Sequence, residues 1–206
     1  NFEEQALKFI GSELYQAFFH GYTKKQWGCE PRDLPASILR RLPVRFDYDD
    51  SYHTSLYSGI PRDGYTACIA NILDHELIEV QTGVRFDHAM KEDFLHVFFT
   101  GPIDAYYGYR SGRLAYRTVH WDRVEAAGDF QGCSQINYTQ LDVPHTRIHE
   151  DKHFTPWEKH DRTVALVEFS KETAEGDIPY YPTRLVADKS ALDRYIALAL
   201  EERHVS

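Results

Sequence analysis

The chain has 206 residues, of which 42% are hydrophobic and 27% are charged, a composition typical of folded proteins and too apolar for a disordered one. Asp and Glu number 32 against 23 Lys and Arg, and the net charge of -9 argues against a nucleic-acid partner, which would be bound through a basic surface. No apolar run approaches the ~20 residues that a membrane-spanning helix needs, so the sequence predicts no membrane span.

Helices dominate the first third of the predicted structure. Apolar residues recur at helical spacing from Phe2 to Phe18, and Gly11 interrupts them. The pattern therefore predicts two successive helices, the second capped by Ser12 and ended by Gly21. Further helices are expected at 33–39 and 65–73, with a loop at 40–50 between them.

After about residue 76 the pattern changes to alternating and continuous apolar runs, which are typical of strands. Strands are predicted at 77–82, 95–100, 113–121, 134–139 and 163–169, and a last helix is predicted at 189–202. Because helices come first and strands later, the sequence predicts an α+β fold. It consists of an N-terminal helical subdomain at 1–76 and a twisted, mainly antiparallel β-sheet portion at 77–206 with a C-terminal helix.

Aromatic residues make up 14% of the chain, and several are concentrated between residues 15 and 28. The rings of Phe18, Phe19 and Tyr22 fall on one side of the predicted helix, and Trp27 follows in a loop. Such rings can sandwich a planar base or cover the apolar face of a sugar. An ordinary aromatic core explains the same pattern. The polar residues 24–26 favour a binding surface, since they place Tyr22 and Trp27 outside a uniform apolar stripe.

A second feature is the group of arginines in a proline-bounded segment, Arg40, Arg41 and Arg45. Guanidinium groups bind phosphate through paired hydrogen bonds, so this segment is a candidate phosphate site, although a solvated charged loop has the same composition. The phenols of Tyr180 and Tyr181, followed by a rigid proline, are suited to hydrogen bonds with phosphate or to simple packing.

His145, His149 and His153 recur every four residues, a spacing that would align metal ligands on a helix. Pro144 and the strand-rich surroundings disfavour a helix there, so we expect solvent-facing histidines and no metal site. The three cysteines are widely spaced and form no CxxC pair, which favours a reducing cytoplasm over a disulfide framework. GxGxxG, GxxxxGK[ST] and GxSxG motifs are absent, so no dinucleotide turn, P-loop or nucleophile elbow is expected.

Several longer blocks match one known family in order and spacing. They include GYTKKQWG at 21–28, LPASI at 34–38, RLPVRF at 41–46, FTGPID at 99–104, VPHTRI at 143–148 and PYYP at 179–182. Through them nearly the whole chain resembles UDP-galactopyranose mutase, the family of flavoenzymes that make UDP-galactofuranose.

The resemblance implies an enzyme with a flavin domain, a helical substrate-binding subdomain and a twisted antiparallel sheet. Such an enzyme interconverts UDP-galactopyranose and UDP-galactofuranose through a sugar adduct at N5 of reduced FAD. This chain resembles the central part of such an enzyme, since it has no GxGxxG turn. We therefore expect a fragment whose residues 77–206 keep remnants of the surface that contacts the flavin domain, and which alone neither retains FAD nor turns over.

The resemblance also assigns a uridine pocket and a sugar contact. Phe18, Phe19 and Tyr22 match the pocket, with Tyr22 stacking on uracil, and Trp27 matches the tryptophan that lines the galactose side. No side chain is expected to act as nucleophile, because flavin N5 has that role.

The remaining matched positions are expected to bind the diphosphate, the sugar or the cofactor. Arg41 on a mobile loop and Arg147 match the two arginines that hold the diphosphate and support catalysis. Tyr52 and Tyr181 match phenols that hydrogen-bond the phosphates. The other positions, near the sugar and flavin or against the cofactor, are Arg117, Asn137, Thr100 and Gly101.

Two other functions fit the same residues. One is a stand-alone, non-catalytic module that binds a UDP-sugar. The other is a mutase for a related sugar, such as UDP-N-acetylgalactosamine or UDP-arabinopyranose. In each case the expected partner is UDP or a UDP-sugar such as UDP-galactose, and a homodimer is expected from the family.

Overall fold

The computed structural model describes residues 1–41, 45, 47–49, 55–183 and 185–206. Tyr52 lies outside these residues, and so does the side chain of Arg41. The described chain divides into two units, Asn1–Asp50 with Pro102–Tyr195, and Ser51–Gly101 with Ile196–Ser206. The boundary expected between residues 76 and 77 stays a prediction.

The N-terminal helices lead directly to the aromatic segment. Helix α1 (Phe2–Leu14) begins with a capping box, in which the Asn1 side chain accepts from the backbone N–H of Glu4, and its axis breaks at Gly11, where φ is 75°. A π-helical segment (Tyr15–His20) and helix α2 (Gly21–Trp27) follow without a break. The predicted stop at Gly21 is therefore wrong. Gly28 ends α2 instead, since its φ of 68° is the left-handed conformation that closes many helices.

The other helices are mostly short. Helix α3 (Gly64–Leu73) and the C-terminal helix α5 (Val186–Glu201) confirm two predicted helices, and α4 (Ile103–Tyr106) is an additional turn. Short 3₁₀ helices lie at Pro31–Asp33, Ala36–Arg41, His88–Asp93 and Asp151–Phe154. Among the residues that the structure describes, no helix has the length and apolar character needed to cross a bilayer.

Five strands form one antiparallel sheet, and the α+β prediction is confirmed. The strands are β1 (Tyr116–Ala127), β2 (Gln135–Asn137), β3 (Arg147–His149), β4 (Arg162–Glu172) and β5 (Tyr181–Pro182). Their order across the sheet is β2-β3-β4-β1-β5, and every neighbouring pair is antiparallel. The long pair of β1 and β4 is the centre of the sheet, and the three short strands flank it.

The predicted strands at 77–82 and 95–100 are wrong. Val97 forms an isolated bridge to Val205, and the N–H groups of Val97 and Phe99 donate to the carbonyls of His204 and Ser206, but this pairing does not extend into a strand, and residues 77–82 form none. The apolar side chains that suggested strands are exposed in their unit, for example Leu77 at 84% and Leu95 at 96%. An apolar run without a neighbouring strand satisfies the sequence pattern but not the hydrogen-bonding requirement of a sheet.

The core beneath α1 and the aromatic segment is small and aromatic. Phe2, Ala6, Tyr15, Leu34 and Leu39 are buried together, and Phe19 and Trp27 pack against them while remaining partly exposed. The first helices are thus fixed by burial of one face, which presents the other side of α2 to the sheet.

Candidate functional site

Helix α2 and strand β3 bring two predicted site residues into contact. Nη2 of Arg147, the first residue of β3, donates a hydrogen bond to the phenol oxygen of Tyr22. The guanidinium carbon lies 5.7 Å from the centre of the Tyr22 ring, within cation–π range. Burial raises the pKa of Tyr22, although Arg147 opposes the shift, so the phenol stays protonated at neutral pH. The expected uracil-stacking ring and the expected diphosphate arginine therefore lie side by side.

Arg147 is oriented from the sheet by Glu168 on β4. Its Nε lies 3.0 Å from Oε1 of Glu168, an ion pair without the alignment of a hydrogen bond. Glu168 is buried and also accepts from the Thr146 hydroxyl at 3.0 Å, while Nε2 of His149 lies 3.1 Å from its other oxygen. A buried carboxylate with several partners holds the arginine in one place, as binding of a phosphate requires.

A second aromatic pair forms where α2 ends. The rings of Trp27 and Tyr181 have centroids 6.5 Å apart and planes inclined by 59°. Tyr181 lies on β5, paired with Arg117 of β1, and its side chain is 38% exposed. The two predicted sugar and phosphate contacts thus adjoin each other, with surface available to a ligand.

Arg117 is buried, and its guanidinium contacts the end of α2. Its Nε donates to the carbonyl of Gln26 and to the Ser170 hydroxyl, both at 3.2 Å, and Nη2 donates to the carbonyl of Lys25 at 3.4 Å. These carbonyls belong to the last turn of a helix, where they have no partner within the helix and carry partial negative charge. The sequence did not predict this capping role. The expected contact of Arg117 with the sugar or flavin stays a prediction.

The remaining predicted residues of this unit differ in their surroundings. Phe18 is 59% exposed on the π-helical segment, whereas Phe19 packs against the core. Asn137 lies on β2, opposite Arg147 in the neighbouring strand, and its Oδ1 accepts from Gln135 at 3.2 Å. Phe18 and Asn137 are therefore accessible to a ligand, and Phe19 contributes mainly to packing. All three assignments stay predictions.

The expected cofactor contact, Thr100-Gly101, belongs to the second unit. The ring of Phe99 covers Gly101 so closely that a Cβ atom there would overlap it. On the side where a Cβ atom would point, Gly101 therefore adjoins the ring of Phe99. The expected contact of Thr100-Gly101 with the cofactor stays a prediction.

The three regularly spaced histidines do not converge on one point. His145 packs edge-on against Tyr138 with ring centroids 4.3 Å apart, His149 pairs with Glu168, and His153 lies 2.9 Å from Asp129. Each is half-buried, so the expectation of solvent-facing histidines is wrong. Each ring contacts a different neighbour, and Nε2 of His145 is buried without a hydrogen-bond partner among the described residues.

Asp129, Glu150 and His153 bring their ligand atoms within 4.8 Å of one another, a spacing compatible with a metal ion. However, the ammonium group of Lys152 lies 3.3 Å from Asp129 and 3.6 Å from Glu150. Lys152 already supplies positive charge to this cluster, which is better described as an ion-pair network than as a metal centre.

Glu150 is the buried member of that network, and from its position directly after β3 it joins the connection between β1 and β2 to strand β4. Its carboxylate accepts from the N–H groups of Phe130 and Gln131 at 3.0 and 2.8 Å and from the Thr163 hydroxyl at 2.5 Å. Burial raises the pKa of Glu150, but these hydrogen bonds outweigh it and hold the pKa far below its usual range.

We expect this carboxylate to make the protein sensitive to acid. Because its pKa is depressed in the folded state, Glu150 contributes stability above the ordinary pKa of a glutamate, and that stability is lost as the pH falls below it. Urea unfolding measured from pH 7 to pH 3 should therefore show a smaller decline in the free energy of unfolding for Glu150→Gln than for the wild type. Glu13→Gln, at an exposed helical position, serves as control and should keep the wild-type slope. If the free energy of unfolding falls equally with pH in the wild type and in Glu150→Gln, Glu150 is not the source of the acid sensitivity.

A cavity of 390 Å³ lies elsewhere on the sheet, and no predicted site residue lines it. Four residues of its lining form two pairs, with Arg162 3.0 Å from Glu125 and His160 3.1 Å from Glu158. The cavity therefore offers a ligand few unpaired charges, and the contacts around α2 remain the candidate site.

Comparison with known proteins agrees with the resemblance found in the sequence. A family model described as GLF: UDP-galactopyranose mutase matches residues 17–206. A probable UDP-galactopyranose mutase of Klebsiella pneumoniae is 51% identical over 205 residues, covering 100% of this chain and 53% of the relative. A dTDP-fucopyranose mutase of Escherichia coli is 48% identical over 213 residues, covering 100% of this chain and 56% of the relative.

A more distant relative extends the same pattern. The UDP-galactopyranose mutase of Mycoplasma pneumoniae is 28% identical over 214 residues, covering 95% of this chain and 52% of the relative. The chain spans about half the length of the curated relatives it matches. Since the family model covers nearly all of the sequence, the chain belongs to the UDP-galactopyranose mutase family.

Proposed function

We propose that this chain carries the sugar-nucleotide site of a mutase, with UDP-galactopyranose and UDP-galactofuranose as its substrate pair. The observation that carries the proposal is the contact of Tyr22 with Arg147, which joins an aromatic face to a fixed positive charge. A nucleoside diphosphate needs both, a ring for its base and a guanidinium for its phosphates. Two relatives, a probable UDP-galactopyranose mutase and a dTDP-fucopyranose mutase, support the same class of substrate.

In this proposal α2 lies along the ligand. Tyr22 stacks on the base, Arg147 binds the diphosphate, and the Trp27–Tyr181 pair adjoins the sugar and the second phosphate. Arg41 closes from its loop, in the role that the family resemblance assigns to it. The protein's part in the reaction is then to hold a departed UDP close to the sugar, so that its return is effectively intramolecular.

We assign the cofactor, reduced FAD, to the intact protein. Bound reduced FAD would supply the nucleophile for the anomeric carbon, which accounts for the lack of a motif for a side-chain nucleophile. Thr100 and Gly101 stay the proposed contact of this chain with the cofactor. The 206 residues alone would then bind a UDP-sugar without catalysing its conversion, which is the alternative of a binding module.

The similarity to the dTDP-fucopyranose mutase supports a second candidate substrate. At 48% identity it is nearly as similar as the relative from Klebsiella, so a thymidine nucleotide and a 6-deoxy sugar are reasonable alternatives to uridine and galactose. The cytoplasm remains the proposed location, supported by three cysteines that form no disulfide, and a homodimer remains the proposed assembly.

The test is a comparison of the two reactions in the intact protein loaded with FAD and reduced by dithionite. Conversion of UDP-galactofuranose to UDP-galactopyranose, followed by chromatography, should exceed conversion of the dTDP-fucose pair by at least tenfold in kcat/KM. The opposite ratio would assign the protein to the second substrate. If neither is converted and calorimetry detects no binding of UDP or dTDP, the proposal is wrong.

A matched measurement on the 206-residue chain tests the fragment prediction. Flavin absorbance after purification in excess FAD should stay near zero, while UDP binding is retained. Full FAD occupancy or mutase turnover by this chain would contradict the proposed division of roles.

A further inference from the structure

Lys25 is surrounded by carbonyl groups of the main chain. Its ammonium nitrogen donates to the carbonyl oxygens of Tyr138, Val143 and His145 at 2.7, 2.9 and 2.8 Å. An ammonium group has three N–H donors, so these three acceptors engage all of them. The charge of Lys25 is therefore directed at the protein's own backbone rather than at a ligand.

The three carbonyls belong to the connection between β2 and β3. Tyr138 directly follows β2, and His145 precedes Arg147, the first residue of β3, by two positions. One side chain of α2 thus ties down both ends of the connection. Nζ of Lys25 therefore binds both the residue after β2 and the residues just before Arg147.

A direct backbone contact reinforces this junction. The α-carbon of Gly21, the first residue of α2, lies so close to the carbonyl of Thr139 that a Cβ atom would overlap it. The connection therefore touches α2 at its first residue and is bonded to it again at Lys25, one helical turn later. Two points of attachment fix both the orientation of the connection relative to α2 and its distance from α2.

We infer that Lys25 is a positioning residue for the sugar-nucleotide site, an inference that rests on the proposed function. Tyr22 precedes Lys25 by three positions, so both side chains lie on neighbouring parts of the α2 surface. Arg147 reaches Tyr22 from the other side of the junction. Lys25 sets the separation of ring and guanidinium, and so keeps the base and diphosphate subsites in register.

The adjacent residue provides a matched control. Lys24 is 42% exposed and pairs with Glu30 beyond the end of the helix, away from the β2–β3 connection. Lys24→Met and Lys25→Met remove the same charge from the same helix and keep a side chain of similar length. Only Lys25→Met removes donors from the connection.

The experiment is calorimetric titration of UDP into the intact protein and both variants. Positioning predicts that Lys25→Met raises the Kd for UDP about tenfold while the stoichiometry stays at the wild-type value. Lys24→Met should change neither quantity. A purely stabilising role would instead lower the stoichiometry, because fewer molecules are folded, and leave the Kd of the folded ones unchanged. That result overturns the inference.

Hydrogen exchange of residues 138–146, measured without ligand, reports the junction independently of UDP. Faster exchange there in Lys25→Met, but not in Lys24→Met, supports the anchoring; unchanged exchange contradicts it. If the wild type itself binds no UDP, the proposed function fails and this inference with it. A wild type that binds, with an unchanged Kd in Lys25→Met, refutes the inference alone.

A second variant applies where Lys25→Met does not fold. In Lys25→Ala, added ethylammonium should restore UDP binding, whereas tetramethylammonium, which has no N–H donor, should not. Loss of folding in both variants without rescue by ethylammonium would assign Lys25 to stability and overturn the inference.

Discussion

Replacing Gly21 by alanine is expected to lower the free energy of unfolding by about 2 kcal/mol, because two opposing effects differ in size. Gly21 has helical backbone angles, so alanine alone would stabilise α2 by up to ~1 kcal/mol. The new Cβ, however, would overlap the carbonyl oxygen of Thr139, a main-chain atom that cannot rotate away. Overpacking of this kind costs ~1–3 kcal/mol or more, and a clash with backbone belongs at the upper end.

Urea unfolding measures this effect, and Gly59→Ala is its control. Gly59 has no atom within 4 Å of an added Cβ and no left-handed φ, so alanine there should leave stability within about 0.5 kcal/mol of the wild type. Gly21→Ala should also weaken UDP binding, since α2 carries Tyr22. Equal free energies of unfolding in the two variants would contradict this prediction, because they would mean that α2 and the β2–β3 connection can move apart without loss of stability.

Replacing Arg147 by alanine is expected to weaken UDP binding by one to two orders of magnitude. A charge-assisted hydrogen bond contributes ~1.5–3 kcal/mol, and each 1.4 kcal/mol is a factor of ten in the dissociation constant. Arg147→Lys keeps the charge but not the planar donor pair, so its affinity should lie between those of the wild type and the alanine variant. Calorimetric titration of UDP provides the measurement.

Loss of Arg147 also leaves Glu168 buried without its guanidinium partner, which can reduce folding. The double variant Arg147→Ala/Glu168→Gln removes that unpaired charge and should fold better while still binding UDP weakly. Arg123→Ala is the surface control, since that arginine is 63% exposed and pairs only with Glu125 in the part of the chain that the structure describes. Equal UDP affinity in Arg147→Ala and Arg123→Ala would remove Arg147 from the proposed diphosphate site.

Long elements of the fold were predictable from the sequence, whereas most short ones were not, β2 within the predicted strand 134–139 being the exception. The central strands β1 and β4 have 12 and 11 residues, enough for an apolar pattern to be recognised. Strand β3 has 3 residues and β5 has 2, too few for any periodicity. The false strand at 77–82 shows the opposite error, in which an apolar pattern exists without a partner strand to pair with it.

The site shows a similar division. The residue types for a base and a diphosphate could be identified locally, but Tyr22 and Arg147 are separated by 125 positions, and only the family resemblance linked them before the structure did. The roles of Lys25 and Arg117 were missed for a physical reason. A basic residue near a predicted anion site suggests a ligand contact, yet both side chains here donate to carbonyl groups of their own backbone.

The shortness of β3 limits which insertions and deletions the protein can accept without losing the site. Successive residues of a strand point to opposite faces, so a shift of one position would turn Arg147 away from Tyr22 and present Ile148 or Thr146 in its place. With 3 residues, the strand has few ladder bonds of its own to resist such a shift. Gaining or losing a single residue between Tyr138 and His145 could therefore preserve the sheet and yet abolish the site, which makes the length of this connection as significant as the identity of the residues it joins.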